Sequence, residues 1–140
     1  FNLPYEMNKG YVSLHIRRGD YLELADKLSL MSVDYYKNAM ALFPNHKFLV
    51  FSDDINWCKE NLPQLLGCDA LEFSEGKTEV EDLVLMANCE HNIVANSTFS
   101  FAASWFNKNP NKIVVSPKIE DMFGGCCVDM IPENYKTINQ

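Results

Sequence analysis

Apolar and polar positions along the chain switch repeatedly between a period of two and a period near 3.6, the signature of strands alternating with helices. In the stretch Tyr11 to Tyr21, YVSLHIRRGDY, Leu14 and Ile16 alternate with Ser13, His15 and Arg17, which predicts a strand. Leu22 to Met31 has no sustained period and reads as a loop or short helix carrying Glu23 and Asp26. Ser32 can cap a helix that sets Val33, Tyr36, Met40 and Phe43 on one face and ends at Pro44 and Asn45. Lys47 to Ser52, KFLVFS, is a compact apolar run expected as a second buried strand opening onto Asp53 and Asp54. A helix over Ile55 to Leu62 should stop at Pro63, and Ala70 to Phe73 reads as a short strand. Thr78 and Glu81 have capping-box spacing ahead of a helix with Val80, Leu83, Val84 and Ala87 on one face. Asn92 to Ala95 reads as a strand, Ser100 to Phe106 as a helix, and Lys112 to Ser116 as a strand bounded by Pro117. Met130 to Ile138 can supply a last short element, while the tail from Asp121 carries no clear pattern.

Strand and helix thus alternate about five times, which predicts an α/β fold with a doubly wound, mainly parallel, Rossmann-like sheet. At 140 residues, 47% of them hydrophobic, the chain fits a single domain over residues 1–140 with a substantial core. Because it begins without Met and almost directly at a core strand, it reads as part of a larger protein.

Charge narrows the partners. The net charge of −7 disfavours a nucleic-acid surface, since backbone phosphates are met by clustered Lys and Arg. Five cysteines without C-x-x-C spacing indicate neither a disulfide framework nor a zinc site, and suggest a reducing, cytoplasmic setting. No apolar run approaches the roughly 20 residues of a membrane span. There is no G-x-G-x-x-G and no P-loop.

The chemistry concentrates where strands end. Charge on a central parallel strand is tolerated mainly at its carboxyl end, where ligands bind, and His15, Arg17, Arg18 and Asp20 stand there beside Gly19. A guanidinium fork matches phosphate oxygens, so the stretch reads as an anion site. A strand-end salt bridge between Arg17 or Arg18 and Asp20 fits the same spacing. Asn96-Ser97-Thr98-Phe99-Ser100 leaves an apolar strand and enters a helix, whose unpaired N–H groups would face the same edge; an ordinary N-cap is the alternative. Asp53 and Asp54 could accept from a ribose or base, bind a metal, or cap the next helix, and no acid or histidine cluster completes a metal site around them. His46 and His91 read as surface or structural, Trp57 and Trp105 as core rather than sugar platforms, and the sequon at Asn96 as coincidental.

VSLHIRRGDY, FLVFSDD and DLVLMANCEHNIVANSTFSFAASWFN, in this order, together with the ending IPENYKTI, resemble the peptide motifs of the α-1,2-fucosyltransferases, glycosyltransferase family 11. The resemblance implies the donor-binding half of a GT-B enzyme, with a preceding N-terminal acceptor domain. That enzyme would move fucose from GDP-fucose to the 2-hydroxyl of a galactoside with inversion and without a metal, as in bacterial glycan biosynthesis, in the cytoplasm or at the inner face of the membrane. It places His15 near the nucleotide and Arg17 on the β-phosphate as the catalytic group. Asp54 would take the guanosine, Ser100 with the backbone of Phe101 and Ala102 the pyrophosphate, and Arg18 and Asp20 would hold the strand end. Ala102 and Glu120 stand where the family often carries bulky aromatics. The same fold without catalysis, a nucleotide-binding or interaction domain, is the alternative.

Overall fold

A computed structural model of the chain describes residues 7–17, 32–95, 97–117 and 134–138. In chain order these form β1 (Asn8–Ile16), α1 (Val33–Met40), β2 (Lys47–Ser52), α2 (Ile55–Leu66), β3 (Leu71–Phe73), α3 (Glu79–Ala87), β4 (Cys89–Ile93), α4 (Thr98–Phe106), β5 (Val114–Pro117) and β6 (Lys136–Ile138). The six strands pair in the order β3-β2-β1-β4-β5-β6, and every pairing is parallel. The expected α/β, doubly wound, Rossmann-like sheet is therefore present. From β1 the chain steps outward to β2 and β3, crosses back over β1 to β4, and runs outward again. Strand order reverses between β1 and β4, which makes the gap at their carboxyl ends the switch point of the sheet.

Period-two alternation sends each strand's side chains into two cores. On one face Val12, Leu14 and Ile16 of β1 and Phe48 and Val50 of β2 pack with Tyr35 and Tyr36 of α1 and with Cys58, Leu62 and Leu66 of α2. On the other, Leu49 and Phe51 meet Met86 of α3 and Ala103 of α4, with Tyr11 and Phe99 alongside. Helices thus cover both faces, which explains why β1 is buried from Val12 to Ile16 whatever the residue type. Ser13 is accommodated by accepting from the Asn92 amide at 2.7 Å; that amide also donates to the Met86 carbonyl, while Asn107 donates to the Asn92 carbonyl oxygen.

Several elements depart from the sequence expectations. Pro63 does not stop α2, because the i, i+4, i+8 stripe Cys58, Leu62, Leu66 must reach the core. The helix ends instead at Gly67, left-handed at φ 60°, whose amide and that of Cys68 both close on the Pro63 carbonyl. Strand β4 starts at Cys89, ahead of Asn92, since its polar residues find partners across the sheet: Glu90 accepts from the Gly10 amide and His91 from the Ile113 amide. Val80 is 66% exposed and Trp105 61% exposed, so neither is core; the buried stripe of α4 runs through Ser100, Phe101, Ala103 and Ser104 and turns Trp105 outward. Trp57 does pack against the first core. Thr78 and Glu81 form the expected reciprocal capping box. The readings of residues 18–31 and of the tail from Asp121 through residue 133 lie outside the described residues.

Candidate functional site

In a parallel sheet every strand ends, and every following helix begins, at one edge. That edge carries an open cavity of about 380 Å³. Its walls are His15 and Arg17 from the end of β1, Phe51, Ser52 and Asp53 from the end of β2, Glu79 and Asp82 from the first turn of α3, and Ser97, Thr98 and Phe99 at the start of α4. Arg17 and the amino end of α4 therefore meet across the switch point. Arg18 and Asp20 lie outside the described residues.

His15 is 7% exposed, and its Nδ1 has no hydrogen-bond partner among the described residues. Burial pushes its pKa down to about 4; the Asp53 carboxylate opposes this and the Arg17 guanidinium adds to it. The ring is neutral at pH 7 and lies 5.9 Å from that of Phe99, with Nδ1 buried and unpartnered among the described residues. Its backbone is fixed from the other face, where the Tyr36 hydroxyl donates to the His15 carbonyl at 2.9 Å.

At the start of α4, Ser97 is the N-cap: its hydroxyl accepts from the Phe99 amide, and its own amide donates to the Ala95 carbonyl. Thr98, the first residue of the helix, lines the cavity and sets its amide at the positive end of the helix dipole. The three residues expected from sequence to hold a pyrophosphate sit deeper. The Ser100 hydroxyl is fully buried and accepts from the Ala95 amide; the Phe101 amide is spent on the Ser97 carbonyl; Ala102 follows one residue on. None of the three lines the cavity, whose helix-end residues are Ser97, Thr98 and Phe99, because α4 opens at Thr98.

The acids also differ from expectation. Asp54 is the N-cap position of α2, its amide donating to the Ser52 hydroxyl, and it is Asp53 that lines the cavity. Glu79 and Asp82 were not foreseen. Asp82 is fixed by the buried Ser74 hydroxyl, which donates to its Oδ1 at 2.7 Å. The capping box was the available signal: it locates the start of α3, and a helix entered from a parallel strand begins at the ligand edge.

At the opposite edge the fold assembles a cluster that the sequence reading did not find. Side-chain ligand atoms of His46, Glu90 and His91 lie within 4.8 Å of one another. The polarity of the rings argues against a cation there. His91 accepts from the Ile113 amide at Nδ1, 2.8 Å away, so its proton sits on Nε2, 3.4 Å from Glu90 Oε2. A metal-bound histidine normally donates its other ring N–H; His91 would have to become an imidazolate. The group is a hydrogen-bonded clasp joining β1, β4 and β5, in which Glu90 also accepts from the Gly10 amide at 2.8 Å.

Among the described residues no helix is long and apolar enough to cross a membrane. Comparison with known proteins agrees with the motif reading. Over 114 residues the chain is 38% identical to the Alpha-1,2-colitosyltransferase of Escherichia coli, covering 76% of this chain and 39% of that protein. It is 36% identical over 118 residues to the O-antigen biosynthesis glycosyltransferase WbnK of Escherichia coli, covering 79% and 39%. It is 34% identical over 104 residues to the Galactoside alpha-(1,2)-fucosyltransferase 1 of Homo sapiens, covering 68% and 28%. The chain thus spans well under half the length of these relatives. No solved structure matches it significantly. The family model of Glycosyl transferase family 11 matches residues 1–123, and the chain belongs to that family.

Proposed function

We propose that this chain is the donor-binding half of a galactoside α-1,2-fucosyltransferase. It would hold GDP-fucose for inverting, metal-independent transfer to the 2-hydroxyl of a galactoside, with an N-terminal acceptor domain supplying the rest of the site. The observation that carries the reading is the convergence of Arg17, His15 and the first turn of α4 on one cavity at the switch point. In the transfer, the bond from fucose C1 to the β-phosphate oxygen breaks with its electron pair leaving on GDP. The acceptor oxygen forms the new bond to C1 and gives up its proton. The charge that develops is on the leaving diphosphate, and Arg17 with the Thr98 amide is the donor set placed to stabilise it without reorganisation. Carboxylates complement the N1–H and N2–H₂ edge of guanine and the hydroxyls of ribose, roles that Asp53 and Asp82 would share in this reading. The setting that goes with this reading is cytoplasmic.

The test is calorimetric titration of GDP, GDP-fucose and UDP-sugars into the protein and into Arg17→Ala. Guanine-selective binding that the substitution weakens is expected. Indifference to all of them overturns the assignment in favour of a non-catalytic module. The colitosyltransferase relative makes a second donor sugar worth including: a colitosyl nucleotide bound tighter than GDP-fucose would change the sugar and keep the mechanism.

A further inference from the structure

Helix α1 sits on the face of the sheet away from the cavity, yet two of its side chains reach the strand ends that frame it. Ser32 caps the helix by accepting from the Tyr35 amide at 3.1 Å, and Tyr35 and Tyr36, both fully buried, stand edge to face with ring centroids 5.1 Å apart. Their hydroxyls diverge. That of Tyr36 donates to the carbonyl of His15, two residues before Arg17. That of Tyr35 lies 2.7 Å from the carbonyl of Val94, three residues before the Ser97 N-cap of α4, and 3.3 Å from the carbonyl of Val115 in β5.

Packing alone does not call for these hydroxyls, because Phe would fill the same space in the core. What the hydroxyls add is a connection: one rigid helix is tied to the end of β1 and to the exit of β4, the neighbouring strands on either side of the switch point. We propose that Tyr35 and Tyr36 are positioning residues for diphosphate binding, setting the distance between Arg17 and the first turn of α4 from behind the sheet. The inference rests on the diphosphate reading of the cavity given above. A bidentate fork and a helix end grip one diphosphate only if their separation matches its span, and holding that separation in the empty protein removes the ordering cost from binding. Burial raises both phenols well above their ordinary range, so the hydroxyls keep their protons and remain donors throughout the range in which the protein is folded.

The experiment is calorimetric titration of GDP and of guanosine, which lacks the diphosphate, into wild type, Tyr35→Phe, Tyr36→Phe and Arg17→Ala. Loss of one buried hydroxyl bond should weaken GDP by about 3- to 10-fold in each tyrosine variant and leave guanosine within about twofold. In the Arg17→Ala background the Tyr36→Phe loss should largely disappear, since the group it positions is gone. Equal weakening of GDP and guanosine, or a lowered unfolding midpoint with both affinities intact, overturns the proposal by showing a merely structural role. Wild-type protein that binds GDP no better than guanosine overturns the diphosphate reading and this proposal with it. Arg17-dependent GDP binding that both tyrosine variants preserve overturns this proposal alone.

Discussion

The Ile113 amide donates to Nδ1 of His91 at 2.8 Å, so this ring holds the residue ahead of β5 only while it is neutral. Protonating Nδ1 would set one N–H against another. His91 is accordingly held below the usual histidine range, by burial first, with the Glu90 carboxylate opposing and His46 adding. His15 is lowered as well, to about 4. Both folded values lie below the unfolded one, so the unfolded chain takes up protons first as the solution is acidified. Stability is therefore complete above about pH 6.5 and falls as pH drops towards 4. The His15 window alone corresponds to roughly 3 kcal/mol. Glu90, held low mainly by the Gly10 amide, adds its loss only below the ordinary carboxylate value. Urea unfolding at pH 7.5 and pH 5 measures this; an unchanged midpoint contradicts it. In hydrogen exchange the Ile113 amide should lose protection over the same interval, and His91→Asn, which keeps an acceptor that does not titrate, should retain it.

Arg17 is exposed, so its replacement should act on ligand and not on fold. Arg17→Lys keeps the charge but loses the planar fork, and Arg17→Ala loses both. GDP affinity should fall about tenfold or more in the alanine variant and by an intermediate factor in the lysine variant, with unchanged unfolding midpoints. Equal losses in the two would show that the fork geometry is unimportant.

Asp82 offers the cavity a carboxylate that Ser74 holds in one orientation at 2.7 Å. Asp82→Asn preserves an acceptor for Ser74 but presents an amide donor to the ligand in place of an oxygen. If that oxygen meets the donor edge of guanine, GDP should weaken by roughly tenfold or more while inorganic pyrophosphate does not. Ser74→Ala should produce a smaller loss of the same kind. GDP and pyrophosphate weakened in step would place Asp82 near the phosphates instead.

The helix α2 prediction tests a place where the pattern misled. Gly67 takes φ 60° with open space where a Cβ would stand, so Gly67→Ala meets backbone strain and no clash. A cost of about 1–2 kcal/mol in chemical denaturation is expected, against about 2–5 kcal/mol for Leu62→Ala, which opens a hole in a fully buried stripe. A larger loss for the glycine than for the leucine would mean that the helix end, and not its apolar face, carries α2 past Pro63.

What was legible in the sequence, and what was not, follows from which forces act locally. The strand over LHI, the apolar run KFLVFS and the Thr78–Glu81 capping box depend on neighbours within a few residues, and each is where the pattern put it. Doubly wound topology followed from their alternation. The polar start of β4 ahead of Asn92 was not legible, because Glu90 and His91 become strand residues through partners tens of positions away, at Gly10 and Ile113. The site was half legible for the same reason. His15 and Arg17 could be placed at a strand end from their own segment. The start of α4 at Thr98 brings Ser97, Thr98 and Phe99 to the cavity in place of Ser100, and the acids of α3 join it only because parallel strands deliver every helix start to one edge.

Asn92 shows how tightly that non-local polar layer is specified. It is 1% exposed, and its amide is saturated: Nδ2 donates to Ser13 at 2.7 Å and to the Met86 carbonyl at 2.9 Å, and Oδ1 accepts from Asn107 at 2.8 Å. Asn92→Asp changes almost no volume but sets a second oxygen against the Met86 carbonyl and buries a charge with no cation beside it among the described residues. At pH 7 the variant should lose at least about 3 kcal/mol. Its signature is the direction of the pH dependence. A buried carboxyl without a cation has a folded pKa above the unfolded one, so protonation restores a donor and the penalty shrinks as pH falls. The histidines weaken both proteins alike over the same interval, so the difference between them isolates the carboxyl at residue 92, and the gap should narrow from pH 7.5 to pH 5. A gap that is constant, or that widens on acidification, would show that residue 92 is solvated in the variant and that the layer between α3, β1 and β4 is not dry.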